Sequence, residues 1–164
     1  MDYSKIKYKI EKETLQQEVL SGKVEIETLL EALKKPEVND KASWVFSSVV
    51  ELKPDIIKEQ DITLLIKLLE NNPSKALERN IWRTFQFIEI PINLQEQCTH
   101  LAFETLERNE SSIAVQVFSM SVAFELSKNN KDLMHLLKEI LLFKFENASK
   151  GFQSRARKIL KEID

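Results

Sequence analysis

The apolar positions of this chain recur every three or four residues, a spacing that places side chains on one face of an α-helix. No segment alternates strictly between apolar and polar residues, so no strand is predicted. The chain is therefore predicted to be all-α. The clearest apolar faces are Leu77-Ile81-Phe85-Ile88, Val115-Phe118-Val122-Leu126, Leu133-Leu136-Leu137-Ile140-Leu141 and Phe152-Ala156-Ile159-Leu160-Ile163.

Proline residues divide the chain at nearly equal intervals. Pro36, Pro54, Pro73 and Pro91 are separated by 18, 19 and 18 residues. Proline lacks an N–H and clashes inside a helix, so each one is predicted to lie at a helix boundary. Polar turn clusters continue the same rhythm at residues 21–22, 109–112, 129–130 and 147–149.

An interval of about 18 residues holds a helix of about 14 residues and a short loop. Two such intervals make a helix hairpin of about 37 residues, a period typical of helical repeat arrays. Asp40, Asp61 and Ser74 are predicted to cap helices, and residues 54–57 to form a separate short turn. Nine helices follow, near residues 3–20, 24–35, 40–52, 57–71, 74–89, 93–108, 111–128, 132–147 and 150–163.

The length of 164 residues favours a single domain over residues 1–164. Residues 1–23 are expected to supply an N-terminal helix, and residues 150–164 a C-terminal capping helix with a charged outer side. The helix at 111–128 has a second apolar face, so neighbours are expected to cover it on both sides. That face consists of Ile113, Val117, Met120 and Phe124.

Composition narrows the class of protein. Lys and Arg number 24 against 26 Asp and Glu, and a net charge of −2 argues against general nucleic-acid binding. Cys98 is the only cysteine, which excludes an internal disulfide and favours a reducing compartment. No apolar run approaches the roughly 18–20 residues of a membrane span, and no signal segment is visible. A cytoplasmic protein without membrane contact is expected.

The joints between helices carry a family resemblance. The run at 68–73, Leu-Leu-Glu-Asn-Asn-Pro, is followed by Ala76-Leu77-Glu78-Arg79. This sequence resembles the joint of HEAT-type repeat proteins and, more loosely, of Armadillo and DNA-alkylation-repeat proteins. The resemblance covers residues 24–163. Basic residues of the family's repeated position match Lys41, Arg79 and Arg155, which are spaced by multiples of 38, although Val117 interrupts the series.

The resemblance implies a fold and a function. The implied fold is a right-handed α-α superhelix, a short solenoid of about four helix hairpins. HEAT proteins are mostly protein-binding scaffolds, so the resemblance implies a non-enzymatic module that binds a protein or peptide. The alternative that it leaves open is a nucleic-acid-binding relative of the DNA-alkylation-repeat proteins.

Two tryptophans occupy matching places in successive hairpins. Trp44 and Trp82 lie 38 residues apart. They are candidates for the aromatic lining of a binding groove, where large rings anchor a partner. The alternative, which we favour, is that both fill equivalent gaps between stacked hairpins, because tryptophan usually buries most of its area.

Arg79 and Arg83 share one helix face, because they are four residues apart. They are candidates for binding an acidic partner or a phosphate. The favoured alternative is a solvated face paired with Glu78 or with a glutamate of a neighbouring hairpin.

Metal and nucleophile chemistry have weak candidates. Glu96, His100 and Glu104 would share one stripe of a helix, but a second imidazole at metal spacing is missing, since His135 has only Glu139 nearby. No metal site is expected. Cys98 lies in an apolar helical pattern without a His and Asn or Asp partner, which favours a buried structural thiol.

The last helix holds a basic cluster whose binding partner would be nucleic acid or another acidic surface. A solvated cap explains it more simply, since cations late in a helix complement the macrodipole. That cluster is Lys150, Arg155, Arg157, Lys158 and Lys161.

Signatures of common enzymes are absent from the sequence. With two glycines, Gly22 and Gly151, the chain has no phosphate-binding loop, dinucleotide fingerprint or Gly-x-Ser-x-Gly elbow. We therefore expect a protein that is not an enzyme and has no cofactor. Its expected partner is another protein or peptide rather than nucleic acid, and its expected state is a monomer or weak oligomer.

Overall fold

The computed structural model describes residue 3 and residues 9–163, with side chains described from residue 11 onward and at Tyr3. Within these residues the chain is helical and contains no strand, which confirms the all-α prediction. The described helices are α1 (Lys9–Leu20), α2 (Ile26–Leu33), α3 (Asn39–Leu52), α4 (Glu59–Glu70), α5 (Lys75–Phe85), α6 (Ile92–Glu107), α7 (Ile113–Ser127), α8 (Lys131–Phe145) and α9 (Lys150–Ile163).

These bounds agree with the predicted helices to within a few residues. The largest differences are at the first helix, of whose predicted span residues 4–8 lie outside the described part, and at α5, which ends at Phe85 rather than near residue 89. Residues 86–90 instead form a turn and an extended segment that leads into Pro91. Within the described residues no helix combines the length and apolarity that crossing a bilayer requires.

The prolines lie where the sequence placed them. Pro36 and Pro73 are in loops between helices, and Pro91 directly precedes α6. Pro54 opens a separate 3-10 turn over Pro54–Ile56, as predicted. Each proline thus occupies a position where its missing N–H breaks no helical hydrogen bond.

The predicted caps are partly correct. The Ser74 hydroxyl accepts a hydrogen bond from the Leu77 amide at 3.1 Å and caps α5. Asp61 is not an N-cap but lies in the first turn of α4, where its carboxylate accepts from the Lys58 amide at 2.7 Å. The prediction for Asp40 was wrong, because α3 begins one residue earlier and the Asp40 carboxylate instead accepts a hydrogen bond from the Ser74 hydroxyl.

The chain divides into two compact units, an N-terminal unit of residues 1–89 and a C-terminal unit of residues 90–164. In the N-terminal unit α3 packs against α1, α2 and α5; in the C-terminal unit α7 packs against α6, α8 and α9. The expectation that residues 1–164 behave as one domain stays a prediction. So does the terminal capping role of residues 1–23 and 150–164.

The interior of the N-terminal unit lies between α3 and α5. Val45 and Val49 are completely buried on α3, opposite Ile81 on α5. A polar link crosses this interior, since the Asn80 amide nitrogen donates to the Ser43 hydroxyl at 2.9 Å. That buried bond satisfies groups whose desolvation would otherwise oppose folding.

The interior of the C-terminal unit lies around α7. Met120 and Phe124, from its second apolar face, are buried, which confirms the prediction that neighbours cover both sides there. Ile113, at the start of the same face, is exposed, so the prediction fails at that end. On α9 the predicted apolar face is buried at Phe152, Ala156 and Ile159.

A lysine joins α8 to the end of α6. The Lys144 ammonium donates to the Leu106 carbonyl and, at 3.3 Å, to the Arg108 carbonyl. Burial lowers the pKa of Lys144, and the nearby Glu107 carboxylate acts in the opposite direction. These carbonyls are among the last of α6 and lack helical partners, so the ammonium caps that helix through a tertiary contact.

We expect Lys144→Met to lower the free energy of unfolding by about 1–2 kcal/mol, because hydrogen bonds to charged groups are lost and the carbonyls stay half-covered. Urea unfolding followed by circular dichroism measures the change. Lys158→Met, which removes an exposed lysine from α9, is the matched control and should change stability by less than about 0.5 kcal/mol. Equal effects of the two substitutions would refute the capping role.

Candidate binding groove

The two tryptophans have different surroundings in the N-terminal unit. Trp82 on α5 is 0% exposed, and its ring meets the Phe85 ring edge-on at a centroid distance of 5.8 Å. Its indole nitrogen is buried without a hydrogen-bond partner among the described residues. Trp44 on α3 is half-buried, and the Lys12 ammonium lies 5.3 Å from its ring centroid. Trp82 thus fills the interior, and only Trp44 reaches the surface.

The two arginines also differ. The Arg83 guanidinium on α5 forms an ion pair with the Glu51 carboxylate on α3, a glutamate of the neighbouring hairpin. Arg79 is exposed on the same helix. The structure brings Trp44, Arg79 and Arg83 onto the helices α3 and α5, and their binding role stays a prediction. A partner that binds Arg83 would compete with Glu51.

The candidates for metal and nucleophile chemistry do not form a site. His100, Glu96 and Glu104 are all exposed on α6. In the described part of the chain, no group of three His, Cys, Asp or Glu residues could hold a metal ion. Cys98 is completely buried, and this burial raises the pKa of its thiol to about 12. A neutral, inaccessible thiol is a poor nucleophile.

The basic residues of α9 are partly engaged within the C-terminal unit. The Arg155 guanidinium donates to the Ser121 hydroxyl at 3.1 Å. The Arg157 guanidinium lies 5.2 Å from the centroid of the Phe145 ring. Lys150, Lys158 and Lys161 are exposed. The cluster therefore packs along the domain surface at two of its five positions.

Sequence analysis missed the largest concave feature of the C-terminal unit. A groove of about 580 Å³ runs between α6 and α8 and ends at the loop after α7. Its volume is in the range that protein sites use to take up a ligand or a partner side chain. Its lining consists of Gln95, Glu96, Thr99, His100, Phe103, Leu126, Asn129, Asn130, Leu133 and Leu136.

The apolar floor of the groove follows from how α8 begins. The Asn130 side-chain oxygen accepts from the amides of Asp132 and Leu133, both at 3.1 Å, and so caps α8. The first turn of α8 is thereby fixed, and it places Leu133 and Leu136 in the groove. On the α6 side, the Thr99 hydroxyl donates to the Gln95 carbonyl at 2.6 Å, which turns that polar atom back to its own helix.

The apolar surface continues along α8 beyond the groove. Leu133, Leu136, Ile140 and Phe143 follow one another at spacings of three and four, so they form one stripe about 15 Å long. Leu136 is 40% exposed and Phe143 is 87% exposed. Three of the six exposed large apolar side chains in the described residues lie on α8, the third being Leu142.

A second cavity lies at the far end of this stripe. It has a volume of about 410 Å³ and lies where the start of α7, the end of α8 and the start of α9 meet. Phe143 borders it, and so does the exposed Ile113 of α7. The stripe on α8 thus has a cavity at each end, and both cavities lie within the C-terminal unit.

The sequence held a signal for this surface. The predicted apolar face of α8 already contained five residues, and Leu142, Phe143 and Phe145 follow it within the same helix. Such an apolar excess is more than one packed face requires. The structure buries only Leu137 and Leu141 of this helix fully, so most of the excess stays at the surface.

The chain matches a family model. The model is described as a HEAT repeat domain, and it matches residues 7–163, which is nearly the whole chain. No curated protein and no solved structure matches this chain.

Proposed function

The chain belongs to the HEAT repeat domain family, and on that premise we propose that it is a non-enzymatic module that binds a protein or peptide in the groove between α6 and α8. HEAT repeats generally serve as protein-interaction scaffolds. Stacked helix hairpins suit that role, because they present extended surfaces built from several helices.

The exposed apolar stripe of α8 is the observation that carries this proposal. Contiguous apolar side chains on a surface lose free energy in water, and on folded proteins such patches mark binding sites. Leu136 borders the groove and Phe143 borders the second cavity, so the stripe combines projecting side chains with hollows that accept them. This combination is typical of protein interfaces, in which anchors of one partner fill pockets of the other.

The polar groups of the groove favour binding over catalysis. The side chains with acid–base chemistry that line it are Glu96 and His100, and both are exposed on α6. The thiol of Cys98 belongs to α6 too, but it is buried and is not part of the lining. An enzyme usually surrounds its reactive groups with a desolvated, oriented environment.

Affinity capture followed by titration tests the proposal. Proteins from the native host that bind the immobilised chain are identified, and each is purified and titrated against wild type and two variants. Leu136→Ser removes an anchor from the groove, and Leu52→Ser removes a comparable exposed leucine, 60% exposed, from α3. We expect Leu136→Ser to weaken binding about tenfold, a loss of about 1.4 kcal/mol, and Leu52→Ser to leave it unchanged.

Two results would overturn the proposal. In the first, a purified partner binds wild type and Leu136→Ser with equal affinity. In the second, the chain retains no protein but binds duplex DNA in a gel shift at low salt, which would support the nucleic-acid alternative instead.

A further inference from the structure

The charges around the α6–α8 groove are of one sign. Glu96 and Glu107 lie on α6, eleven residues or about three turns apart, and therefore on the same side of that helix. Asp132 and Glu139 lie on α8, seven residues or about two turns apart. All four carboxylates are at exposed positions.

The acidic residues of α8 flank its apolar stripe directly. Asp132 is four residues before Leu136, and Glu139 is three residues after Leu136 and four before Phe143. Neighbours at three and four residues touch on a helix surface, so each carboxylate borders an exposed apolar side chain. Glu139 also lies 3.4 Å from the imidazole of His135, which extends the polar edge of the stripe.

The cations of α8 point elsewhere or are engaged. Lys131 and Lys138 are displaced by about 200° around the helix from Leu136, so they lie on the opposite side of α8. The Lys144 ammonium is held by the carbonyls at the end of α6. The groove thus has an apolar floor and acidic edges, which is complementary to a cationic, amphipathic partner.

From these observations we infer that the groove and stripe bind a basic amphipathic helix, an inference that rests on the proposed function. The stripe is about 15 Å long, which matches a partner helix of about ten residues or three turns. Such a helix places apolar anchors at i, i+3 or i+4, and i+7, the mode by which a helix lies in an apolar groove. Lys or Arg residues beside those anchors reach the carboxylates at both edges.

The spacing of the two cavities makes the inference more specific. Leu136 and Phe143 are seven residues apart on α8, a separation of about 10 Å along the helix axis. A partner helix lying along the stripe reaches both cavities with anchors about two turns apart. One anchor then enters the groove beside Leu136, and the other enters the cavity beside Phe143.

Three labelled peptides of about 14 residues, followed by fluorescence anisotropy, test this inference. The first has leucines at the anchor positions and lysines elsewhere. The second has the same leucines with glutamates in place of the lysines. The third has the composition of the first in an order that destroys the apolar face. We expect the first peptide to bind at least about tenfold more tightly than the other two.

Matched variants test where the peptide binds. The double variant Glu96→Lys with Glu139→Lys should weaken binding of the lysine peptide about tenfold or more, since it reverses a charge on each edge. The control, Glu27→Lys with Glu37→Lys, makes the same change at exposed positions of the N-terminal unit and should leave binding intact. Raising the salt concentration should weaken binding to wild type more than binding to the double variant.

Several outcomes would overturn the inference, and they are separable from failure of the proposed function. Equal binding of the lysine and glutamate peptides would refute the charge of the partner. Weak binding of every peptide, together with a native partner that depends on Leu136, would refute the helical partner but leave the proposed function standing. Self-association in analytical ultracentrifugation that Leu136→Ser abolishes would assign the groove to a second copy of this chain instead.

Discussion

Replacing Trp82 with alanine is expected to lower the free energy of unfolding by about 3–5 kcal/mol, the usual loss for a large aromatic side chain removed from a core. Trp82 is completely buried on α5, and its ring packs edge-on against Phe85. Its removal leaves a cavity that the flanking helices fill only in part, and the neighbouring side chains lose their contacts. Denaturant unfolding, monitored by circular dichroism, measures the difference.

Trp44→Ala is the matched control for this prediction. Trp44 occupies the corresponding place on α3, 38 residues earlier, but it is half-buried and partly covered by Lys12. Its loss should cost less than half as much as the loss of Trp82. A cost for Trp82→Ala below about 1 kcal/mol would contradict the packing role, because it would fall in the range of surface substitutions.

Trp82→Phe separates the volume of the ring from its polar atom. Phenylalanine keeps much of the buried apolar surface and removes the indole N–H, which has no described partner. A buried donor without a partner opposes folding by roughly 1–3 kcal/mol, so its removal offsets part of the lost packing. Trp82→Phe should therefore be much closer in stability to wild type than Trp82→Ala.

The comparison of these two tryptophans shows what periodicity can predict. A repeat of 38 residues correctly indicated that they occupy equivalent places in the fold. It did not indicate that one is buried and the other partly exposed, because burial depends on which helices cover each position. α5 packs its Trp82 side against the interior, whereas the Trp44 side of α3 meets only the end of a lysine side chain.

Helix positions were predictable for a different reason. Proline restricts the backbone locally, so Pro36, Pro54, Pro73 and Pro91 indicated boundaries without any knowledge of the tertiary structure. The N-cap of α3 was predicted at Asp40, one turn position too late, because Asp40 forms its hydrogen bond with Ser74 of another helix. A sequence pattern cannot distinguish a local partner from one 34 residues away.

The groove was not predictable, although its residues were visible in the pattern. Leu133, Leu136 and Ile140 were assigned to the same apolar face as Leu137 and Leu141, because all five recur at helical spacing. The structure buries only the last two completely. Hydrophobic periodicity identifies the side of a helix that avoids water, but a partner molecule can cover that side as well as the chain's own core.

Cys98 is expected to react with thiol reagents about a thousandfold more slowly in the folded protein than in the unfolded chain at pH 8. Burial raises the pKa of its thiol from 9.0 to about 12, so the reactive thiolate is rarer by about three orders of magnitude. The side chain is also completely buried on α6, which blocks access of the reagent. Labelling with a chromogenic disulfide, with and without denaturant, measures the ratio; similar rates in the two states would show that the thiol is accessible.

The same pKa shift makes stability depend on pH in a defined direction. Between pH 9 and about 12 the unfolded chain loses the Cys98 proton while the folded protein keeps it, so the unfolded state is favoured as pH rises. Below pH 8 both states hold the proton, and the thiol contributes no pH dependence. From pH 8 to about pH 10.5 wild type should lose about 2 kcal/mol of stability more than Cys98→Ala, which has no thiol to titrate. The cavity left by Cys98→Ala lowers its stability by a constant amount, so the slope alone reports the thiol, and parallel stability curves for the two proteins would show that its pKa is not raised by folding.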